Sequence, residues 1–285
     1  AQELGVPAGT PVIAGGIDVG AANIGMGVFQ PGRYVAAIGS SMNAALVSEE
    51  PIKGKGLIVW PYPYKSRQLV YNFSGSATAG AITKWFRDNF GLLEKGVQES
   101  GGDNAYVTLG KEAHNVPAGS RGLVVLPYFM GERAPVWNSN AKGLIFGLSL
   151  VHTKADIFHA FQEAVCYALR HSIESTGRNL GDYIVIAGGV TNSPDWVQMF
   201  ADVTGYAVRT PIDDAEANLG DVMLAGLATG TLTVDEVQQW QVLGKKVEPR
   251  RAQHKVYNHY YQLYRILYND LGSDMKALSE LTKIQ

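Results

Sequence analysis

Apolar positions along this chain recur with two periods. Short runs rich in aromatic and β-branched residues, bounded by turn formers, predict strands at Tyr34–Ile38, Gly56–Trp60 and Leu69–Phe73. The first of these ends in the turn GSSMNA. Within SGSATAGAITKWFRDNFGLL, Ala79, Ile82, Trp85, Phe86 and Phe90 then return at helical spacing. Residues 95–121 are polar and rich in Gly and Asn around a short helical pattern, which reads as a surface excursion. GLVVLPYF (122–129) predicts a buried strand stopped by Pro127, 131–143 a long polar loop, and GLIFGLSL a further strand. Thr153 or Asp156 opens a long helix to about Glu174, with Ile157, Ala160, Phe161, Ala164, Val165, Ala168 and Leu169 on one face.

The most regular unit comes next. YIVIAGGVTNSPDWVQMFADVTG reads as a buried strand (Ile184–Ala187), a Gly-Gly turn, and a helix opened by Asn192 or Ser193 with Pro194 in its first turn. A short strand follows at Ala207–Thr210. EANLGDVMLAGLATG is a small-residue helix suited to close packing against a neighbour. Tyr257, Tyr260, Tyr261, Tyr264 and Leu267 form a helical stripe in the tail, which is core or docking surface far more often than a ligand box. The order of elements predicts an α/β fold with a mixed sheet and helices on its faces. The opening AQELGVPAGTPVIAGG starts without Met and runs toward what reads as a strand, as the interior of a longer polypeptide does.

Composition narrows the classes. With 285 residues, 46% of them hydrophobic, the chain can bury one large core or two small ones. A net charge of −2 gives no reason to expect nucleic acid or an anionic membrane as partner, and favours a small molecule. No apolar run reaches the roughly 18 residues of a membrane span. The single cysteine, Cys166, sits in an apolar helical pattern; it fits a reducing cytoplasm and reads as inert core rather than a nucleophile.

Glycine carries the candidate chemistry. Gly-rich segments at 14–27, 39–41 and 188–189 read as turns that follow strands. Without a Cβ, such turns let backbone N–H groups approach an anion, and a following helix N-terminus adds a positive dipole end. One such turn is ordinary in any α/β protein; three around one domain point to phosphate. None matches the P-loop G-x-x-x-x-G-K-S/T or the dinucleotide G-x-G-x-x-G, which leaves the actin-like ATPases as the remaining large class.

At these residues the chain resembles the C-terminal half of the FGGY family of carbohydrate kinases, collinearly over about residues 10–230. AGGIDVGAANIG stands where that family has a segment such as AGGGDNAAGAVG, and IGSSM where it has an LGTSG-type turn. LPYFMGERAPVWNSNAKGLIFGLSLVHTKADIFHAFQEAVCYALRH is similar to the family's GERxPxW segment and the helix after it. IAGGVTNSPDWVQMFADVTG and EANLGDVMLAGLATG follow in family order. The resemblance departs at Ser41 and Met42, where the family has Thr and Gly in its turn, and at Asp221, where it has Ala.

What the resemblance implies is specific. The fold is an actin-like ATPase (ribonuclease H-like) domain, a mixed sheet with helices on both faces. Residues 1–30 hold the end of an N-terminal half and a hairpin bearing the catalytic aspartate, 31–230 the ATP-binding domain, and 231–285 a C-terminal helical extension. Asp18 is the base that accepts the proton of the attacking sugar hydroxyl. Gly39, Ser40 and Ser41 lie along the phosphates of ATP. Gly80 lies near the nucleotide, its bland reading being a close helix–strand contact. Gly188, Gly189, Asn192 and Ser193 line the adenosine. Mg²⁺ arrives with ATP, and no residue spacing suggests a structural metal. Glu132 and Arg133 read as an ion pair fixing the GERAP loop, His152 as a turn residue and His159 as a helix-face residue.

The implied function is ATP-dependent phosphorylation of a pentulose or related keto-sugar or polyol in the cytoplasm, incomplete without the N-terminal kinase domain. The motif spacing leans toward pentulose kinases; ribulose, erythritol-like polyols, gluconate and glycerol stay open. The alternative is a non-catalytic ATP-binding regulatory or sensing protein on the same fold. A homodimer or scaffold built on the tyrosine helix is a third reading.

Overall fold

The structure is a computed structural model and describes residues 2–212 and 217–282. A hairpin of β1 (Tyr34–Ile38) and β2 (Met42–Ser48) and a second of β3 (Ile58–Pro61) and β4 (Val70–Ser74) supply four of the six strands of the main sheet. β5 (Val124–Leu126) and β6 (Leu144–Phe146) pair separately, and β7 (Tyr183–Ala187) and β8 (Ala207–Arg209) complete the main sheet. Its order is β3-β4-β2-β1-β7-β8, with β1/β7 and β7/β8 parallel and the rest antiparallel.

The strands predicted at Tyr34–Ile38, Leu69–Phe73 and Ile184–Ala187 form within a residue or two. β2 is an addition. Its Ala44, Ala45, Leu46 and Val47 are all buried, so both faces are covered and no alternation marks the strand. Alternation does sort β1: Tyr34, Ala36 and Ile38 face one core, Val35 the other.

The Tyr34 face is covered by α2 (Gly80–Phe90), α5 (Lys154–Ser175), α6 (Pro194–Thr204) and α9 (Arg251–Leu281). For α5 the two candidate openers act together. Thr153 caps the helix, and Asp156 returns the favour to the Thr153 backbone N–H at 2.8 Å. The excursion at 95–121 takes in the end of α3 (Leu92–Glu99) and all of α4 (Ala105–Ala113), and both helices are tied to α5 because Lys154 pairs with Glu94 and Glu112.

Tyr257, Tyr261, Tyr264 and Leu267 of α9 are buried in this core, where the three tyrosine rings meet Tyr167 in tilted or edge-on contacts and the Tyr128 and Tyr264 hydroxyls lie 2.9 Å apart. Burying each such side chain contributes about 1.5–3 kcal/mol. The stripe is therefore core, not docking surface. Below it, fully buried Asp202 takes the Arg250 guanidinium at 2.6 Å and anchors the start of α9.

The opposite face carries α1 (Asp18–Gly25), α7 (Ala217–Thr229) and α8 (Val234–Trp240). Here one expectation is corrected. Residues 14–27 are no turn after a strand, and Asp18 sits on no hairpin: residues 11–17 are without a strand, and DVGAANIG is a helix. The cause is tertiary. A Cβ on Gly220 would lie 1.8 Å from the Ala21 carbonyl oxygen, so α1 and α7 touch backbone to backbone through small residues. Glu216, the first residue of the predicted α7 sequence, lies outside the described residues.

Candidate active site

Parallel pairing of β1 with β7 puts Ala37 beside Ala187, so the turns after both strands leave the sheet at one edge. Gly39, Ser40 and Ser41 form the tight β1–β2 turn, with Gly39 N–H donating to the Ser41 carbonyl at 3.0 Å. The start of α2 docks onto that turn. Gly80 N–H donates to the Gly39 carbonyl at 2.8 Å, and Ala79 and Ala81 N–H donate to the Ser40 carbonyl at 2.9 and 3.1 Å. A Cβ on Gly80 would meet Gly39 O at 2.6 Å. Close contact alone therefore accounts for Gly80.

The turn after β7 is built against the same hairpin. Gly188 has φ +97°, and its missing Cβ would stand 2.4 Å from the Ile38 carbonyl oxygen. Gly189 opens a short 3-10 turn to Asn192, and nothing lies within 4 Å of the place its Cβ would take. Thr191 Oγ1 donates to the Gly188 carbonyl at 2.9 Å and braces the turn, a role that no motif singled out. Of the two candidate openers, Ser193 caps α6, its hydroxyl accepting from Trp196 N–H at 3.3 Å. Asn192 is exposed beside it.

Gly39–Ser41, Gly80 and Gly188–Ser193 are thus one assembly. Asp18 reaches this chain's surface from the α1 face, exposed, with its Oδ1 accepting from Val19 N–H at 2.7 Å. A carboxylate in the first turn of a helix is favoured by the helix dipole. Among the described residues, no hydrogen bond joins Asp18 to either turn. Buried Tyr71 lies near enough that, after burial, the Asp18 charge helps push its phenol upward. The glycines around Asp18 serve packing: Cβ atoms on Gly16 and Gly20 would meet Pro63 at 2.6 and 2.8 Å, and one on Gly15 would meet Asp221 at 3.0 Å.

The expected Glu132–Arg133 ion pair does not form. Among the described residues, no guanidinium nitrogen of Arg133 lies within 4.0 Å of a carboxylate oxygen. Glu132 is buried and turned inward, accepting from Ser76 Oγ at 2.7 Å, Ala77 N–H at 2.9 Å and the Arg133 backbone N–H at 2.7 Å. Burial pushes its carboxyl up to about 7 against these hydrogen bonds. The segment it holds, 76–80, is the one that grips the Gly39–Ser41 turn. Glu132 still fixes the loop, through backbone rather than through charge.

His152 is a turn residue, its ring beside Ser149. His159 lies on α5 and is buried, its Nδ1 2.8 Å from Ser120 Oγ. Cys166 is buried, and burial pushes its thiol well up, as for an inert core residue.

Residues 35–229 match the C-terminal domain of the FGGY family of carbohydrate kinases. The chain belongs to this family. It is 29% identical over 207 residues to gluconokinase of Bacillus subtilis strain 168, covering 71% of this chain and 40% of the relative. It is 27% identical over 288 residues to xylulose kinase of the same organism, covering 97% of this chain and 55% of the relative. Among solved structures, xylulose kinase from Rhodospirillum rubrum superposes with a TM-score of 0.82 at 28% identity, over 95% of this chain and 54% of that one. The chain thus spans about half the length of the FGGY proteins it matches. Its fold is that of the actin-like ATPases, as the mixed sheet between two helical layers and these neighbours agree. Among the described residues, no helix is long and apolar enough to cross a membrane.

Proposed function

We propose that this chain is the nucleotide-binding half of a kinase that transfers phosphate from ATP to a small carbohydrate. The observation that carries the reading is the junction of two glycine turns at one sheet edge, where Gly188 abuts Ile38 O and Gly80 abuts Gly39 O. Its residues fit a nucleotide. The Gly39 and Gly189 Cβ positions face open space, both residues are exposed, and the Ser40 hydroxyl is at the surface. Gly39, Ser40 and Ser41 take the phosphates, with the serine hydroxyls and the N–H groups not used within the turn as donors. Gly188, Gly189, Asn192 and Ser193 wall the adenosine. ATP supplies the transferable phosphoryl group, and Mg²⁺ enters with its phosphates, needing few protein ligands.

Asp18 is the residue we assign as base. Its carboxylate, exposed at the start of α1, orients the acceptor hydroxyl and takes its proton, in a transfer dominated by positioning and electrostatics. The acceptor is a pentulose or related keto-sugar or polyol. Similarity to a relative named xylulose kinase supports that class, and similarity to gluconokinase supports a small carbohydrate acceptor more broadly. An N-terminal kinase domain supplies the rest of the sugar site, and the enzyme works in the cytoplasm.

The test pairs this chain with an FGGY N-terminal half and screens sugars for ATP-dependent phosphorylation. Wild type should turn over one acceptor class, and Asp18→Asn should lower kcat by about 10²–10⁴. Undiminished turnover by Asp18→Asn would remove the base assignment. An isolated chain whose melting temperature ignores millimolar ATP would remove the nucleotide reading.

A further inference from the structure

One cation of the 131–143 loop has no bonded partner among the described residues. Arg133 is exposed, and among the described residues its guanidinium has neither an acid within 4.0 Å nor a hydrogen bond. Glu132 feels the Arg133 charge but does not bind the guanidinium, since its oxygens are committed to Ser76, Ala77 and the Arg133 backbone. The side chain lines an open cleft of about 500 Å³ with Ala77, Met130, Glu132, Trp137 and Ser139, a size that suits a small-molecule moiety.

The cleft adjoins the β1–β2 turn. Ala134, next to Arg133, accepts from Gly75 N–H at 3.1 Å. Gly75 in turn lies so close to the hairpin that its Cβ would stand 2.3 Å from the carbonyl oxygen of Met42, the residue after Ser41. Another residue of the lining is held in an unusual backbone state. Trp137 has φ +52°, and its indole Nε1 donates to the Gly56 carbonyl at 2.5 Å. A non-glycine residue kept in the left-handed region beside a cleft is the kind of strain that marks a site.

We propose that Arg133 is a second phosphate-binding group, taking the terminal phosphates of a nucleotide whose phosphate chain lies along Gly39–Ser41. The inference rests on the nucleotide reading above and adds a residue to it. A guanidinium suits the task because it is permanently charged and presents a planar fork of donors that matches two phosphate oxygens at once. Glu132 serves it indirectly, by pinning the loop at the backbone of Arg133 and leaving the side chain free.

Calorimetric titration of the full chain with ATP, AMP and inorganic tripolyphosphate, for wild type and Arg133→Gln, tests this. Arg133→Gln should weaken ATP and tripolyphosphate by about tenfold or more and change AMP by less than about twofold. Its melting temperature should match wild type, since the side chain is exposed. Unchanged ATP affinity in the variant, or an equal loss for AMP, overturns the proposal. Wild type that binds neither ATP nor AMP overturns the nucleotide reading instead, and this proposal with it.

Discussion

The carbonyl oxygen of Ile38 lies 2.4 Å from the point where a Cβ on Gly188 would stand, so the ends of β1 and β7 meet only through a glycine. The next residue, Gly189, has open space at the same point. Adjacent glycines thus do different work, one for the fold and one toward the solvent.

That difference is measurable. Gly188→Ala should cost stability by about 1–3 kcal/mol from its backbone conformation alone, with the clash added. Gly189→Ala should leave stability within about 0.5 kcal/mol. If the turn walls the nucleotide, Gly189→Ala should nonetheless weaken ATP binding several-fold. Urea melts and titrations on the same samples separate the two effects, and full ATP affinity in Gly189→Ala would take that turn out of the pocket.

A second pair of glycines gives opposite signs. Gly220→Ala drives a methyl to 1.8 Å from Ala21 O, forcing α1 off α7, and should cost about 3 kcal/mol. Because α1 carries Asp18, kinase turnover of the paired enzyme should fall as well. Gly272, in the helix α9, has nothing within 4 Å of its Cβ position, so Gly272→Ala should stabilise by about 0.5–1 kcal/mol. Denaturant midpoints that move the same way for both would contradict the packing described.

The third prediction concerns pH. Glu163 is 1% exposed, accepting from Gly119 N–H at 2.7 Å and Ser120 Oγ at 2.9 Å. Burial pushes its carboxyl up to about 8 and holds His159 down to about 4, so their 3.3 Å approach joins two uncharged groups at pH 7. The folded chain keeps a proton on Glu163 that the unfolded chain releases near 4.5. That stabilisation is complete below about 4.5 and is lost as pH climbs toward 8. Glu163→Gln should therefore lose less melting temperature than wild type between pH 5 and 8, and an identical slope would rule the account out.

The candidate site was legible where local chemistry and tertiary need agree. Gly39–Ser41 and Gly188–Ser193 were visible as glycine turns at strand ends, and Ser193-Pro194 as a helix opening. The Thr153/Asp156 choice dissolved because a capping box uses both residues. Adjacency in sequence suggests a Glu132–Arg133 pair, whereas burial turns one side chain inward and leaves the other at the surface. The glycines near Asp18 suggested a phosphate loop; their reason is Pro63 and Asp221, residues far along the chain.

By itself the sequence determined the alternation of elements, the two glycine turns and the family, because each rests on local periodicity or on ordered motifs. Only the tertiary structure decided that DVGAANIG is a helix, that β2 is a central strand, that the tyrosine stripe is core, and that Gly80 and Gly188 serve backbone contact. These depend on what lies across the sheet or across a helix pair, and a residue's own neighbours in sequence carry no record of that distance.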